Sequence, residues 1–201
     1  MGAAAEESLG YNLRLGYSLV VCCLLVAGYR FPQLRSGGKM EKTKGSDVYK
    51  LVVAILASVV AGFIGSILTR SAASNWYPTL IKPYFIPPDW LFAPVRIPLY
   101  FLMGIAAALV WRRGFHHQVV RRALAWFGGQ LILTALWPFF FFGLKSPMAG
   151  LIEIAALGIT LILTIRSFLQ VSRTAGLLLI PYFLWVTFAT GLSLTIWYLN
   201  C

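Results

Sequence analysis

The stretch from Asn75 to Pro94 gathers the residues best suited to holding a ligand. Trp76, Tyr77, Tyr84, Phe85, Trp90 and Phe92 stand among Pro78, Pro83, Pro87, Pro88 and Pro94. Aromatic rings supply large, rigid stacking area. Each proline fixes φ, lacks an N–H donor and disfavours helix for the residue before it. The stretch therefore predicts an ordered, non-helical loop that is too aromatic to idle in water. It feeds an apolar helix from about Ile97 to Trp111, ended by Arg112 and Arg113. The simplest reading is a lid over a cavity between helices. The plainer rival is a loop packed on the membrane surface as part of an aromatic belt.

Few other residues suggest chemistry. Glu153 is the only acidic residue inside a clear apolar span. An intramembrane carboxylate is costly and should face the bundle interior or find a partner, so a structural hydrogen-bond role is expected. His116 and His117 are adjacent in a basic loop, and adjacent residues of a helix point different ways. A solvated or headgroup-facing pair is expected there, not a metal site. Cys22, Cys23 and Cys201 show neither metal-ligand spacing nor a disulfide framework. No phosphate-binding glycine loop, nucleophile elbow or zinc motif is present. These residues name no catalytic group, no metal site and no required cofactor.

The elements that must position the loop are membrane spans. Of 201 residues, 59% are hydrophobic and 11% charged, and the apolar residues fall in runs long enough to cross a bilayer. The net charge of +11 comes from basic residues between those runs, not from a basic domain, which argues against nucleic-acid binding. Five spans are predicted, at about 48–69, 96–111, 123–143, 148–165 and 177–199. In the first, Ala57, Ala61 and Gly65 recur every four residues beside Ser58, Gly62 and Ser66, allowing close helix approach. Ala125 and Gly129 repeat the device in the third, where Pro138 should also introduce a kink. The tripeptide at 145–147 predicts a tight reversal, and 166–176 a connection.

With this topology one side receives Lys42, Lys44, Lys50, Arg112, Arg113, Arg121, Arg122, Arg166 and Arg173. The other receives only Arg70, Lys82, Arg96 and Lys145. The first side is expected to be cytoplasmic, which puts the aromatic loop on the other. Residues 1–39 form an appendage to the 40–201 membrane domain. Its apolar segment Leu15–Tyr29 reads as a sixth helix, a signal-like segment, or part of a start preceding the native Met40.

Several stretches resemble the translocator protein family, also called tryptophan-rich sensory proteins. They are WYPTLIKPYFIPPDW with FAP and LYFLMGIAAALVW, then GFIGS, ALWPFFFFGLKSP and PYFLWVTFAT, in that family's order from about Met40 to Asn200. The resemblance implies an all-α bundle of five transmembrane helices, usually a homodimer, in a bacterial envelope or organelle membrane. It implies a cavity beneath the first loop for tetrapyrroles such as protoporphyrin IX, with a carrier or sensor role. Light- and oxygen-dependent porphyrin breakdown is one alternative, and a non-catalytic scaffold or stress-response regulator is another. Carried over, the pocket comprises Tyr77, Trp137, Trp185, Phe188 and Ala189, with Trp76, Pro83, Pro87, Pro88 and Trp90 shaping the lid.

Four departures bear on function. Arg96 stands where the family usually has the Trp tied to porphyrin breakdown, which argues against an enzyme. Its guanidinium fork suits a porphyrin propionate, while snorkelling to headgroups or pairing with Asp89 are equal rivals. Thr134 replaces a common Asn as a weaker polar handle in the pocket. Gly191 replaces a common Tyr and should enlarge any cavity there. The tail WYLNC has no Lys or Arg after Tyr198, so the proposed sterol pattern is incomplete.

Overall fold

The structure, a computed structural model, describes residues 44–73, 76–81, 83 and 89–200, with side chains at 47–65, 76, 77, 79–81, 83 and 94–200. The appendage at 1–39 lies outside the described residues, as do Pro87, Pro88 and the side chains of Asp89 and Trp90. Helix α1 runs Lys44–Ala73 and is followed by a 3-10 turn, Tyr77–Thr79. Then come α2 (Asp89–Trp111) and α3 (Gln118–Pro138), which passes into a π turn at Phe139–Gly143. Helix α4 is Pro147–Val171, α5 the short Arg173–Leu178, and α6 Ile180–Leu199. The described residues contain no strand. Five stretches are long and apolar enough to cross a bilayer: Asp47–Gly65, Pro94–Trp111, Gln118–Gly143, Pro147–Val171 and Arg173–Leu199. The last joins α5 and α6.

The spans close into a ring. Helix α1 packs on α2 and α3, α3 on α4, and α4 on α5 and α6, while α2 meets α5. Small residues set the closest approaches. A Cβ on Gly104 of α2 would lie 2.6 Å from the Ile55 Cα of α1, and one on Gly62 would fall on the Tyr100 ring. The stripe that α1 turns inward is Ala54, Ser58, Ala61 and Gly65; Ala57 is exposed. Outward, Phe63, Ile132 and Ile159 are more than half exposed, which suits lipid contact but would be a liability in water. Hydroxyls within the spans bond back to carbonyls one turn earlier, as Ser58 does to Ala54 and Thr190 to Val186. No polar hydrogen of those groups is left to the hydrocarbon.

Several boundaries depart from the sequence reading; α3, for one, begins at Gln118 and not near 123. Helix α2 begins at Asp89, not near Arg96, with Pro94 and Pro98 inside it. The two prolines are four residues apart and both exposed, so their missing bonds fall on one outer face while the rest of the helix stays paired. The expected connection at 166–176 is largely helical, because α4 continues to Val171 and α5 starts at Arg173. Pro138 ends the α-helical pattern, and the next turn widens until the Leu144 N–H bonds to the Phe139 carbonyl, five residues back, at 3.0 Å. The reversal that follows has Lys145 at φ 50°, and the Ser146 side chain then caps α4 by accepting the Ala149 N–H at 3.3 Å.

Candidate ligand-binding cavity

Four of the five spans line a cavity of about 40 Å³. Helix α2 contributes Arg96, Leu99 and Tyr100, and α3 contributes Thr134 and Trp137. Helix α4 adds Ile154 and Leu157, and α6 adds Tyr182, Trp185, Val186 and Ala189. Helical spacing explains the grouping: Tyr100 lies one turn after Arg96, and Ala189 one turn after Trp185. The Arg96 Cζ sits 5.8 Å from the Trp137 ring centroid, a cation–π arrangement. Thr134 Oγ1 donates to the Gln130 carbonyl at 2.8 Å, so its 2.9 Å contact with the Tyr182 hydroxyl is one in which Tyr182 donates. The Trp137 Nε1–H is buried and has no acceptor among the described residues.

The loop after α1 packs beside this cavity. Trp76 and Tyr77 meet Phe141 edge-on at 6.0 and 6.5 Å, and Tyr77 meets Phe142 at 5.6 Å. With Leu80 they rest on a cluster of Phe141, Phe142, Leu192 and Ile196. Trp137 packs against both this cluster and the bundle core. Pro83 is half-buried. Trp76, Tyr77 and Leu80 are thus laid on the π turn and the last turns of α6.

Of the seven expected pocket residues, five line the cavity: Arg96, Thr134, Trp137, Trp185 and Ala189. Tyr77 does not, because its ring is used on Phe141 and Phe142. Phe188 does not either; it is 38% exposed and meets the Trp185 ring at 5.9 Å without reaching the cavity. Gly191 borders open space but is not a lining residue. Glu153 faces the interior at 6% exposure, yet neither oxygen has a partner among the described residues, contrary to the expected hydrogen-bond role. Tyr100 and Tyr182 are the polar lining residues that the sequence reading missed. Their spacing, one helical turn from Arg96 and from Trp185 respectively, is the signal that could have found them.

His116 and His117 are exposed in the α2–α3 connection, and no group of three metal-ligating side chains forms among the described residues. Arg112 in that connection pairs with Asp47 at the start of α1, N–O 2.8 Å.

Comparison with known proteins follows the same residues. The TspO/MBR family matches residues 54–199, which include every lining residue of the cavity. The tryptophan-rich protein TspO of Archaeoglobus fulgidus is 45% identical over 154 residues, 77% of this chain and 99% of that protein. The translocator protein of Bos taurus is 35% identical over 140 residues, 69% and 82% of the two chains. The tryptophan-rich sensory protein of Cereibacter sphaeroides is 37% identical over 126 residues, 63% and 77%. With five spans and these relatives, the chain is a multi-pass integral membrane protein and belongs to the TspO/MBR family.

Proposed function

We propose that this protein binds flat hydrophobic ligands within the bilayer, tetrapyrroles such as protoporphyrin IX first among them, and acts as a carrier or sensor for them. The observation that carries this reading is the meeting of Trp137, Trp185 and Arg96 on one cavity wall. Two indoles offer stacking surface for a macrocycle, and the guanidinium offers paired donors for a propionate. The relatives' names, translocator protein and tryptophan-rich sensory protein, fit a carrier or a sensor. Membrane lipid is the surrounding partner and a second copy of the chain the expected protein partner. The aromatic loop faces the non-cytoplasmic side in this reading.

A cavity of about 40 Å³ accommodates a few waters at most, so a macrocycle enters only when the loop and Trp137 move. The loop is then a lid. Titration with protoporphyrin IX tests the proposal through quenching of tryptophan fluorescence. Saturable quenching supports it. Folded protein that no tetrapyrrole quenches favours the scaffold reading instead.

A second reading keeps one supporting observation. Photo-oxidative porphyrin breakdown needs an indole near the ring, and although Arg96 takes the place of one, Trp137 and Trp185 both line the cavity. Illuminated, aerobic samples losing the Soret band only when these indoles are present would support it.

A further inference from the structure

Asn200, the residue capping the C-terminus of α6, reaches across 119 positions of sequence to the lid. Its Oδ1 accepts the Ile81 N–H at 2.9 Å and its Nδ2 donates to the Ile81 carbonyl at 3.0 Å. The second Nδ2 hydrogen goes to the Ile196 carbonyl, 2.8 Å away in the last turn of α6. Both amide hydrogens and the amide oxygen are therefore in use. The side chain grips the backbone of a single lid residue as a neighbouring β-strand would, so the grip does not depend on which side chain stands at position 81. Aspartate lacks the donors needed to reproduce it.

We propose that Asn200 is the latch of the lid, and that its release governs how fast ligand reaches the cavity. This rests on the ligand-binding reading above. Three features support it. The two bonds to Ile81 are exposed, so water competes for them and the grip is reversible. Among the described residues, the loop is also held by the packing of Trp76, Tyr77 and Leu80 on the cluster that contains Phe141 and Ile196. Trp137 belongs to the edge of that cluster and to the cavity wall, so a lifted loop frees the indole that narrows the cavity. Latch, loop support and cavity wall also share one rigid rod: Asn200, Ile196, Leu192, Ala189 and Trp185 follow one another along α6.

The test compares the full chain in lipid nanodiscs with Asn200→Ala and Asn200→Asp. Hydrogen exchange of the peptide covering residues 76–83 should quicken about tenfold in Asn200→Ala and by less in Asn200→Asp, which keeps the acceptor. Exchange within α3 should not change, which shows that the bundle is intact. Stopped-flow quenching by protoporphyrin IX should show association and dissociation both severalfold faster, with Kd altered less than either rate. A merely structural cap would instead slow association and leave the ratio of rates to fall with stability. Unchanged exchange at 76–83 overturns the latch, as does faster exchange with unchanged binding rates. Quickened exchange without quenching in any of the proteins defeats the tetrapyrrole reading alone, because the hold on the loop would have been demonstrated.

Discussion

The indole of Trp137 stacks on the ring of Phe141, with centroids 5.3 Å apart and planes 20° from parallel. Phe141 is 2% exposed and carries Trp76 and Tyr77 on its edges, so this pair joins the cavity wall to the loop above. Truncating Phe141 should undo both. Phe141→Ala is expected to cost about 3–5 kcal/mol, the range for a buried phenylalanine, and to speed hydrogen exchange at 76–81. Thermal unfolding in detergent with exchange read by mass spectrometry checks both; a destabilised protein with an unmoved loop would break the connection.

Trp185 and Phe188 meet in one ring contact on α6. Only Trp185 lines the cavity. Trp185→Ala should weaken protoporphyrin IX binding about tenfold or more, through lost stacking and apolar burial. Phe188→Ala should leave it within about twofold. Equal losses would place the ligand outside the cavity, on the lipid-facing side.

Arg96 is expected to act on charge. Its guanidinium already sits over Trp137, where a propionate could meet it while the macrocycle stacks nearby. Arg96→Ala should weaken binding of protoporphyrin IX by roughly tenfold, the scale of one charge-assisted hydrogen bond, and weaken the dimethyl ester much less. Comparable losses for acid and ester would remove the anchor.

Glu153 holds two buried oxygens without partners among the described residues. A polar group buried without a hydrogen bond opposes folding, so replacing it with an apolar side chain of similar size should not harm the bundle. Glu153→Leu is expected to keep or raise the melting temperature and to leave ligand affinity unchanged. A fall of several degrees would show that the carboxyl is bound to something in the folded protein.

Gly104 and Gly128 should respond in opposite ways. A Cβ at 104 meets the backbone of Ile55, which cannot rotate aside, whereas one at 128 meets nothing within 4 Å. Gly104→Ala should cost about 1–3 kcal/mol by forcing α1 and α2 apart. Gly128→Ala should leave the melting temperature unchanged or slightly higher. Circular-dichroism melts of the two variants decide it, and equal melts would mean α1 and α2 do not touch there.

How much of this was legible in the chain itself follows from the range of each interaction. Apolar runs of about twenty residues, separated by arginines, determined an all-helical five-span protein, because a bilayer leaves the backbone no other way to satisfy its polar groups. Local spacing likewise marked Gly62 and Gly65 for close helix approach, and their surroundings bear this out, whereas Trp137 and Trp185 were named only through the family resemblance. The start of α2 was misplaced because proline rules describe single residues, while a helix with the rest of its bonds intact tolerates Pro94 and Pro98 on an exposed face. Only the tertiary structure decided which aromatic residues share a wall. Tyr77 and Phe188 are as aromatic as Trp137 and Trp185, yet one is spent on Phe141 and Phe142 and the other turns outward. The pairing of Tyr182 with Thr134 and the grip of Asn200 on Ile81 span 48 and 119 positions. Contacts of that reach depend on how helices are arranged around the ring, and no local pattern in the chain encodes a partner so far away.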